Sequence, residues 1–327
     1  MIKSLSIKSA INSYLETVKN ARSKNTFETY SYALRFFKQV LEVRNISPDD
    51  TEIDEINEDS VTWMISALKV YAPTTERLYL SALNNFYEYL AAERVAEVNL
   101  PRLKLLIRQR ARRPGQRLPQ FPREDVDTVL KAVDDYTQYA TNDEKERLRA
   151  LRDRAFIITL ADTGLRVHEI CELRRGDVDW NEGRAVIIGK GDKQAVIRFS
   201  TRSMRALKDY LGTRQKLDGA SRLPLPSLPL FARHDKGAGK KIKPISTATG
   251  RNIINERVRQ ILGEEAVGKI TPHSFRHYFV TTVLRATGNL KMAQKLARHS
   301  NIAVTQRYAH LSDDELDRGY AEIFDEK

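Results

Sequence analysis

Only one cysteine, Cys171, occurs in 327 residues, which excludes an internal disulfide and fits a reducing compartment. Val167, Ile170 and Leu173 surround it at helical spacing, so the thiol is expected to be buried and inert. Long apolar runs are missing too: no stretch approaches the ~18 residues of a membrane-spanning helix. The N-terminus, Met-Ile-Lys-Ser-Leu-Ser-Ile-Lys, lacks the apolar segment and small-residue cleavage site of a secretory leader, so the chain reads as soluble and cytoplasmic. A Walker phosphate loop is absent, so no nucleotide is implied. Acids are absent from 102–117, a stretch that carries Arg102, Lys104, Arg108, Arg110, Arg112, Arg113 and Arg117.

The formal net charge is +12 and the pI about 9.6, an excess that attracts polyanions over long range. Its placement is uneven, because 42–59 is crowded with carboxylates. Only the acid-free stretch is expected to face a phosphate backbone. A hydrophobic content of 41% and the chain length suit two domains, each with its own core.

Apolar spacing predicts helices over 9–19, 26–41, 61–68 and 74–93, a small bundle whose aromatic residues Tyr30, Phe37, Phe86 and Tyr87 read as core. Asn99-Leu-Pro101 ends the bundle, and 102–122, with Pro114, Gly115, Pro119 and Pro122, reads as a basic strap between domains. Helices are predicted at 125–133, 148–163 and 166–174, then strands at 185–188 and 195–199 flanking a Gly189-Lys190-Gly-Asp-Lys193 turn. Further helices follow at 203–215, 247–262, 272–285, 290–298, 302–311 and 313–324. The proline-rich 218–244 segment reads as a basic loop.

Four of the six histidines fall between 273 and 310. Thr271-Pro272 is a helix start, which puts His273 in the first turn and His273, Arg276 and His277 on one face. Arg and His at a helix N-terminus form a phosphate platform to which free backbone N–H groups add. His273 and His277 also have i,i+4 zinc spacing, but Ser274 stands where a zinc protease would carry Glu, and no Cys or carboxylate cluster accompanies them. No metal is expected. Arg166, after Thr163-Gly164-Leu165, projects from a turn into a helix, with Glu169 placed to pair with it or with a site histidine. Lys190 on a hairpin is suited to protonate a leaving oxygen. Tyr308 is a weak nucleophile, with a reference pKa of roughly 10, and needs a base and an electropositive phosphate. The Arg and His residues supply that environment.

Arg166, Lys190, His273-x-x-Arg276, His299 and Tyr308 together resemble the active site of the tyrosine recombinases, the phage-integrase family, in its Xer-type and simple transposon or phage integrase forms. The resemblance spans about residues 1–325. It implies a mainly α fold with a small β-hairpin or sheet in the catalytic domain, built as a two-domain C-shaped DNA clamp. The divisions would be 1–100 as a helical, SAM-like core-binding domain, 101–117 as the basic linker, and 118–327 as the catalytic domain with a C-terminal helix at 313–324.

The implied activity is site-specific DNA cleavage and rejoining through a covalent 3′-phosphotyrosine and a Holliday-junction pathway, with no cofactor, ATP or metal. Arg166 and Arg276 would hold the scissile phosphate, and Lys190 would be the general acid. His273 would transfer the nucleophile's proton, His299 would hydrogen-bond the phosphate, and Tyr308 would be the nucleophile. Glu169 and His277 would support the site. Arg102, Lys104, Arg108, Arg110, Arg112, Arg113, Arg117 and Lys193 are candidate DNA contacts. The expected partners are double-stranded DNA with specific recombination sites and further copies of the chain, monomer or weak dimer off DNA and homo-tetramer on two sites, with room for a partner recombinase or accessory protein. The expected place is the cytoplasm, at the nucleoid. A type IB topoisomerase and a non-catalytic DNA-binding protein of the same fold are the alternatives. Two residues depart from the family pattern: His168, where relatives commonly carry a small residue, and Arg298, where many carry Gly.

Overall fold

Ser6 and Ser23 open the first two helices by accepting hydrogen bonds from the backbone N–H groups of Ser9 and Thr26, both at 3.3 Å. The computed structural model describes residues 5–112, 122–135, 143–189, 193–235 and 242–306. The chain divides into two compact units, Met1–Arg117 and Leu118–Lys327.

The first unit contains α1 (Ile7–Ala21), α2 (Lys24–Glu42), α3 (Ser60–Ala67), α4 (Pro73–Ala92) and α5 (Leu100–Arg110). Pro73 occupies the first position of α4, where its missing N–H costs nothing. Ile11, Tyr14, Phe37, Leu41, Met64, Leu83, Phe86, Tyr87 and Leu90 form the core between these helices. Phe37, Phe86 and Tyr87 have no exposed surface, and each contributes on the order of 2 kcal/mol by leaving water.

The segment expected to be a linker from 101 onward is instead helix through Arg110, capped by Asn99, with Leu103 and Leu106 buried in the bundle core. Periodicity explains the difference, since Leu103, Leu106 and Ile107 form an apolar stripe among the arginines. Beyond it, Arg112 donates from Nη2 to the carbonyls of Leu68 at 3.1 Å and Tyr71 at 2.6 Å. Its Nε meets Glu76, whose carboxylate is fully buried and also takes Lys69 at 3.2 Å. A carboxylate without solvent needs such partners, and the unit is thereby closed down to Arg112.

The second unit contains α6 (Arg123–Asp134), α7 (Glu144–Thr163), α8 (Val167–Glu172), β1 (Val178–Asp179), β2 (Arg184–Gly189), β3 (Lys193–Arg198) and α9 (Thr201–Ala220). It continues with α10 (Thr247–Leu262), α11 (Pro272–Thr287), α12 (Leu290–Ala297) and α13 (Ile302–Gln306). The strands form an antiparallel sheet in the order β1-β2-β3, with Val186 opposite Val196 and Gly189 opposite Lys193. The two-residue β1 was not predicted, because a strand that short carries no alternation.

Helix α7 is buried on nearly all sides, packing against α9 and α11 as well as α6 and α10. Ion pairs fix it: Arg154 reaches Asp134 on α6 at 2.8 Å and Asp209 on α9 at 3.0 Å, and Asp153 takes Arg257 of α10 at 2.9 Å.

The 218–244 segment is not only a surface loop. Leu228, Leu230 and Phe231 are fully buried, and bridges join Arg174 to Pro229 and Ala232 to Pro244. The buried Arg214 guanidinium holds the carbonyls of Pro229 at 2.8 Å and Leu230 at 3.1 Å, while Asp218 balances its charge at 2.8 Å. Residues 236–241 lie outside the described residues, as does the helix expected at 313–324. Among the described residues, no helix is long and apolar enough to cross a membrane.

Candidate active site

The site is built at the end of α7. Gly164 caps that helix with φ 60°, a left-handed conformation, and a Cβ there would come within 2.5 Å of the Phe279 ring on α11. Only glycine satisfies both demands. The turn lets α11 press close and delivers Arg166 to the cap position of α8.

Arg166 is anchored twice by Glu169, through its backbone N–H at 2.8 Å to Oε2 and through Nη1 at 2.8 Å to Oε1. Its side chain keeps 42% exposure, while that of Glu169 keeps 2%. Burial pushes the Glu169 carboxyl up, but the Arg166 backbone N–H, the Arg298 charge and the Arg166 guanidinium together bring it below the usual carboxylate range.

Arg276, on the first turns of α11, is 3% exposed. Its guanidinium donates from Nη1 to the Gly164 carbonyl and from Nη2 to the Ala297 carbonyl. The same cation therefore joins the Arg166 turn to the end of α12, where His299 follows. His273 stands edge-on to His277, with ring centroids 4.6 Å apart. Burial first, and then the Arg276 and Arg166 charges, hold the His273 imidazole below its ordinary value. His277 is pushed down to about 4 by burial, His273 and Arg276.

His299 Nδ1 lies 2.8 Å from the hydroxyl of Thr305, a fully buried residue of α13. Gln294 braces the backbone on either side, accepting from His299 N at its own carbonyl at 3.0 Å and donating from Nε2 to the His299 carbonyl at 3.1 Å. Burial, then Arg276, Arg166, His273 and Arg298, lower the His299 imidazole to about 4. The imidazole is neutral near pH 7.

Arg166, Glu169, His273, Arg276, His277 and His299 thus converge. Lys190 and Tyr308 lie outside the described residues, as do Arg113 and Arg117. Lys193 opens β3, and its side chain is likewise not described. The other basic candidates belong to the first unit. Arg102 is tied to Glu58 at 3.1 Å and Asp59 at 2.7 Å, and Lys104 to Glu88 at 2.8 Å. Arg112 is committed to Glu76. Arg108 and Arg110 are exposed. Arg108 lines an open groove of about 540 Å³ with Arg77, Asn84 and Lys104 over Leu80 and Ile107.

Sequence reasoning missed Gln294 and Thr305, which brace His299. Each belongs to an ordinary helical pattern, and only the fold brings it to the histidine.

Residues 125–315 match the phage integrase family, and residues 11–94 match the phage integrase N-terminal SAM-like domain. The chain belongs to the phage integrase family. The tyrosine recombinase XerC of Bacillus subtilis (strain 168) is 29% identical over 309 residues, covering 94% of this chain and 92% of that protein. XerC of Anoxybacillus flavithermus (strain DSM 21510 / WK1) is 28% identical over 306 residues, covering 93% and 92%. In fold the chain is similar to the XerH site-specific recombinase bound to palindromic difH substrate in a post-cleavage complex, with TM-score 0.68, 19% identity and coverage of 97% of this chain and 84% of that one. A member of this family is a site-specific tyrosine recombinase, an enzyme that cleaves and rejoins DNA.

Proposed function

We propose that Tyr308 cuts one DNA strand at a time by attacking the scissile phosphorus. A tyrosyl O–P bond forms as the bond to the 5′-oxygen breaks, leaving a 3′-phosphotyrosine and a 5′-hydroxyl. The phenolic proton passes to His273, which is neutral at pH 7 and able to accept it. Lys190 gives a proton to the departing 5′-oxygen. Arg166 and Arg276 balance the charge on the non-bridging oxygens, the electrostatic part of the barrier. In the tautomer in which the Thr305 hydroxyl donates to Nδ1, His299 carries its hydrogen on Nε2 and offers it to the phosphate. Attack by a 5′-hydroxyl of a second duplex reverses the step and joins new partners, so no ATP or metal is consumed.

The observation that carries this reading is the convergence of Arg166, Arg276 and His299 on the Gly164 turn, each held by a named partner. The first unit supplies DNA grip through Arg77 and Arg108 in their open groove, as a core-binding domain. Specific sites on two duplexes are joined by a homo-tetramer working at the nucleoid.

Wild-type and Tyr308→Phe protein incubated with sheared DNA from the source organism, denatured and sequenced at covalent adducts, tests the proposal. Adducts should map to discrete sites and vanish in the Phe variant. Equal adducts from both proteins would overturn the assignment of Tyr308. A chromosomal address indicates dimer resolution, and mobile-element ends indicate integration and excision.

A further inference from the structure

Arg298 follows α12 with φ 56°, a left-handed conformation disfavoured for any residue with a Cβ. Its side chain is 12% exposed. A strained backbone and a buried cation are two separate costs, and both fall on one residue. What the guanidinium does there is specific. Nη2 donates to Glu169 Oε2 at 3.0 Å and lies 3.4 Å from the Gly164 carbonyl, and Nη1 lies 3.4 Å from the Leu296 carbonyl. The other oxygen of Glu169 takes Arg166 Nη1 at 2.8 Å. One carboxylate therefore faces two guanidinium groups.

We propose that Arg298 is a positioning residue for the phosphate-binding groups: by sharing Glu169 with Arg166 it leaves a net positive charge at the site and straps the His299 turn to the Arg166 helix. A pair of Arg166 and Glu169 alone would be neutral. With Arg298 the group carries one surplus positive charge, and Arg166 keeps a fixed place without surrendering its charge to Glu169. The strap is mechanical as well, since it runs from α8 to the residue preceding His299. The inference rests on the site being the phosphate-cleaving centre.

His299 reports on this charge. It is faced by Arg276 and His273 from α11, by Arg166 from the cap of α8, by Arg298 from the end of α12, and by the uncharged Thr305 from α13, while Glu169 acts on it through Arg166 and Arg298. Removing Arg298 takes away one cation and frees Glu169 to neutralise Arg166. Both changes favour a protonated His299.

The test uses the full chain as wild type, Arg298→Gly and Arg298→Lys. Glycine accepts φ 56° without strain, so it deletes the guanidinium while relaxing the backbone. The His299 ring resonances are followed by NMR against pH, and inorganic phosphate is titrated into each protein. Arg298→Gly should raise the His299 midpoint by about half a pH unit and weaken phosphate binding about fivefold. Arg298→Lys should keep the midpoint and lose less than about twofold in phosphate affinity. A Gly variant with an unchanged midpoint and unchanged phosphate affinity overturns the inference, even if its melting temperature moves. Tyr308-dependent adducts judge the cleavage reading separately: if they fail, that reading falls, and if they persist while Arg298→Gly behaves as wild type, only the role of Arg298 falls.

Discussion

Glu169 holds Arg166 by both a backbone and a side-chain hydrogen bond, each 2.8 Å long. The carboxylate is buried and the arginine half-exposed, so the anion is a fixture of the fold and the cation is its presented end. Glu169→Gln should slow covalent adduct formation at least about tenfold while DNA affinity changes little, because the loss lies in orientation. The same change strands Arg298 in a buried place without its counter-ion, and should cost about 1–3 kcal/mol in urea denaturation.

Gly164→Ala meets both the left-handed turn and the Phe279 ring. It should destabilise the protein by about 2–3 kcal/mol. The urea midpoint checks the stability, and an adduct rate falling further than the remaining folded fraction would show that the Arg166 turn itself has moved.

His277 and His299 are both lowered to about 4 in the folded protein, against about 6.5 in an unfolded chain. Between those values the unfolded state binds more protons, so stability rises with pH across the window and is lost as pH falls from about 6.5 to about 4. Below that the two histidines contribute no further slope. Urea midpoints measured at intervals between pH 4 and 7 should show it, and His299→Asn should flatten it. A wild-type midpoint constant over this window would contradict the burial of these rings.

Arg108 and Arg102 should differ in their share of DNA binding, although both belong to the same basic stretch. Arg102 already answers Glu58 and Asp59, whereas Arg108 lines the open basic groove. Arg108→Ala should reduce the slope of log affinity against log salt by about one. Arg102→Ala should reduce it by less than about half as much. Equal reductions would mean that DNA pulls Arg102 away from its carboxylates.

Much of this was legible in the chain. The helix expected over 247–262 is α10, Thr247–Leu262, and the structure shows Ser246 capping it by accepting from the Thr249 N–H. Arg166, Glu169, His273, Arg276 and His299 were all marked by motif and brought together by the fold. Charge partnership was not legible. Only the basic stretch, and not the acidic 42–59, reads as facing DNA, yet Glu58 and Asp59 meet Arg102 at the start of α5. Such pairing depends on where two distant helices land. Arg298 was visible only as an odd residue at a glycine position. That it reaches Glu169 follows from the close approach of α11 and the end of α12 to the Gly164 turn, which no local pattern encodes.

Cys171 is buried against α10, beside Gly250, and burial pushes its thiol up to about 12. A thiol so reluctant to ionise is a poor target for maleimides and iodoacetamides. The natural chain therefore offers a silent background for chemical labelling. A cysteine introduced on the exposed outer face of the hairpin, at Val186 or Val196, would accept a fluorophore or spin label with Cys171 left in place.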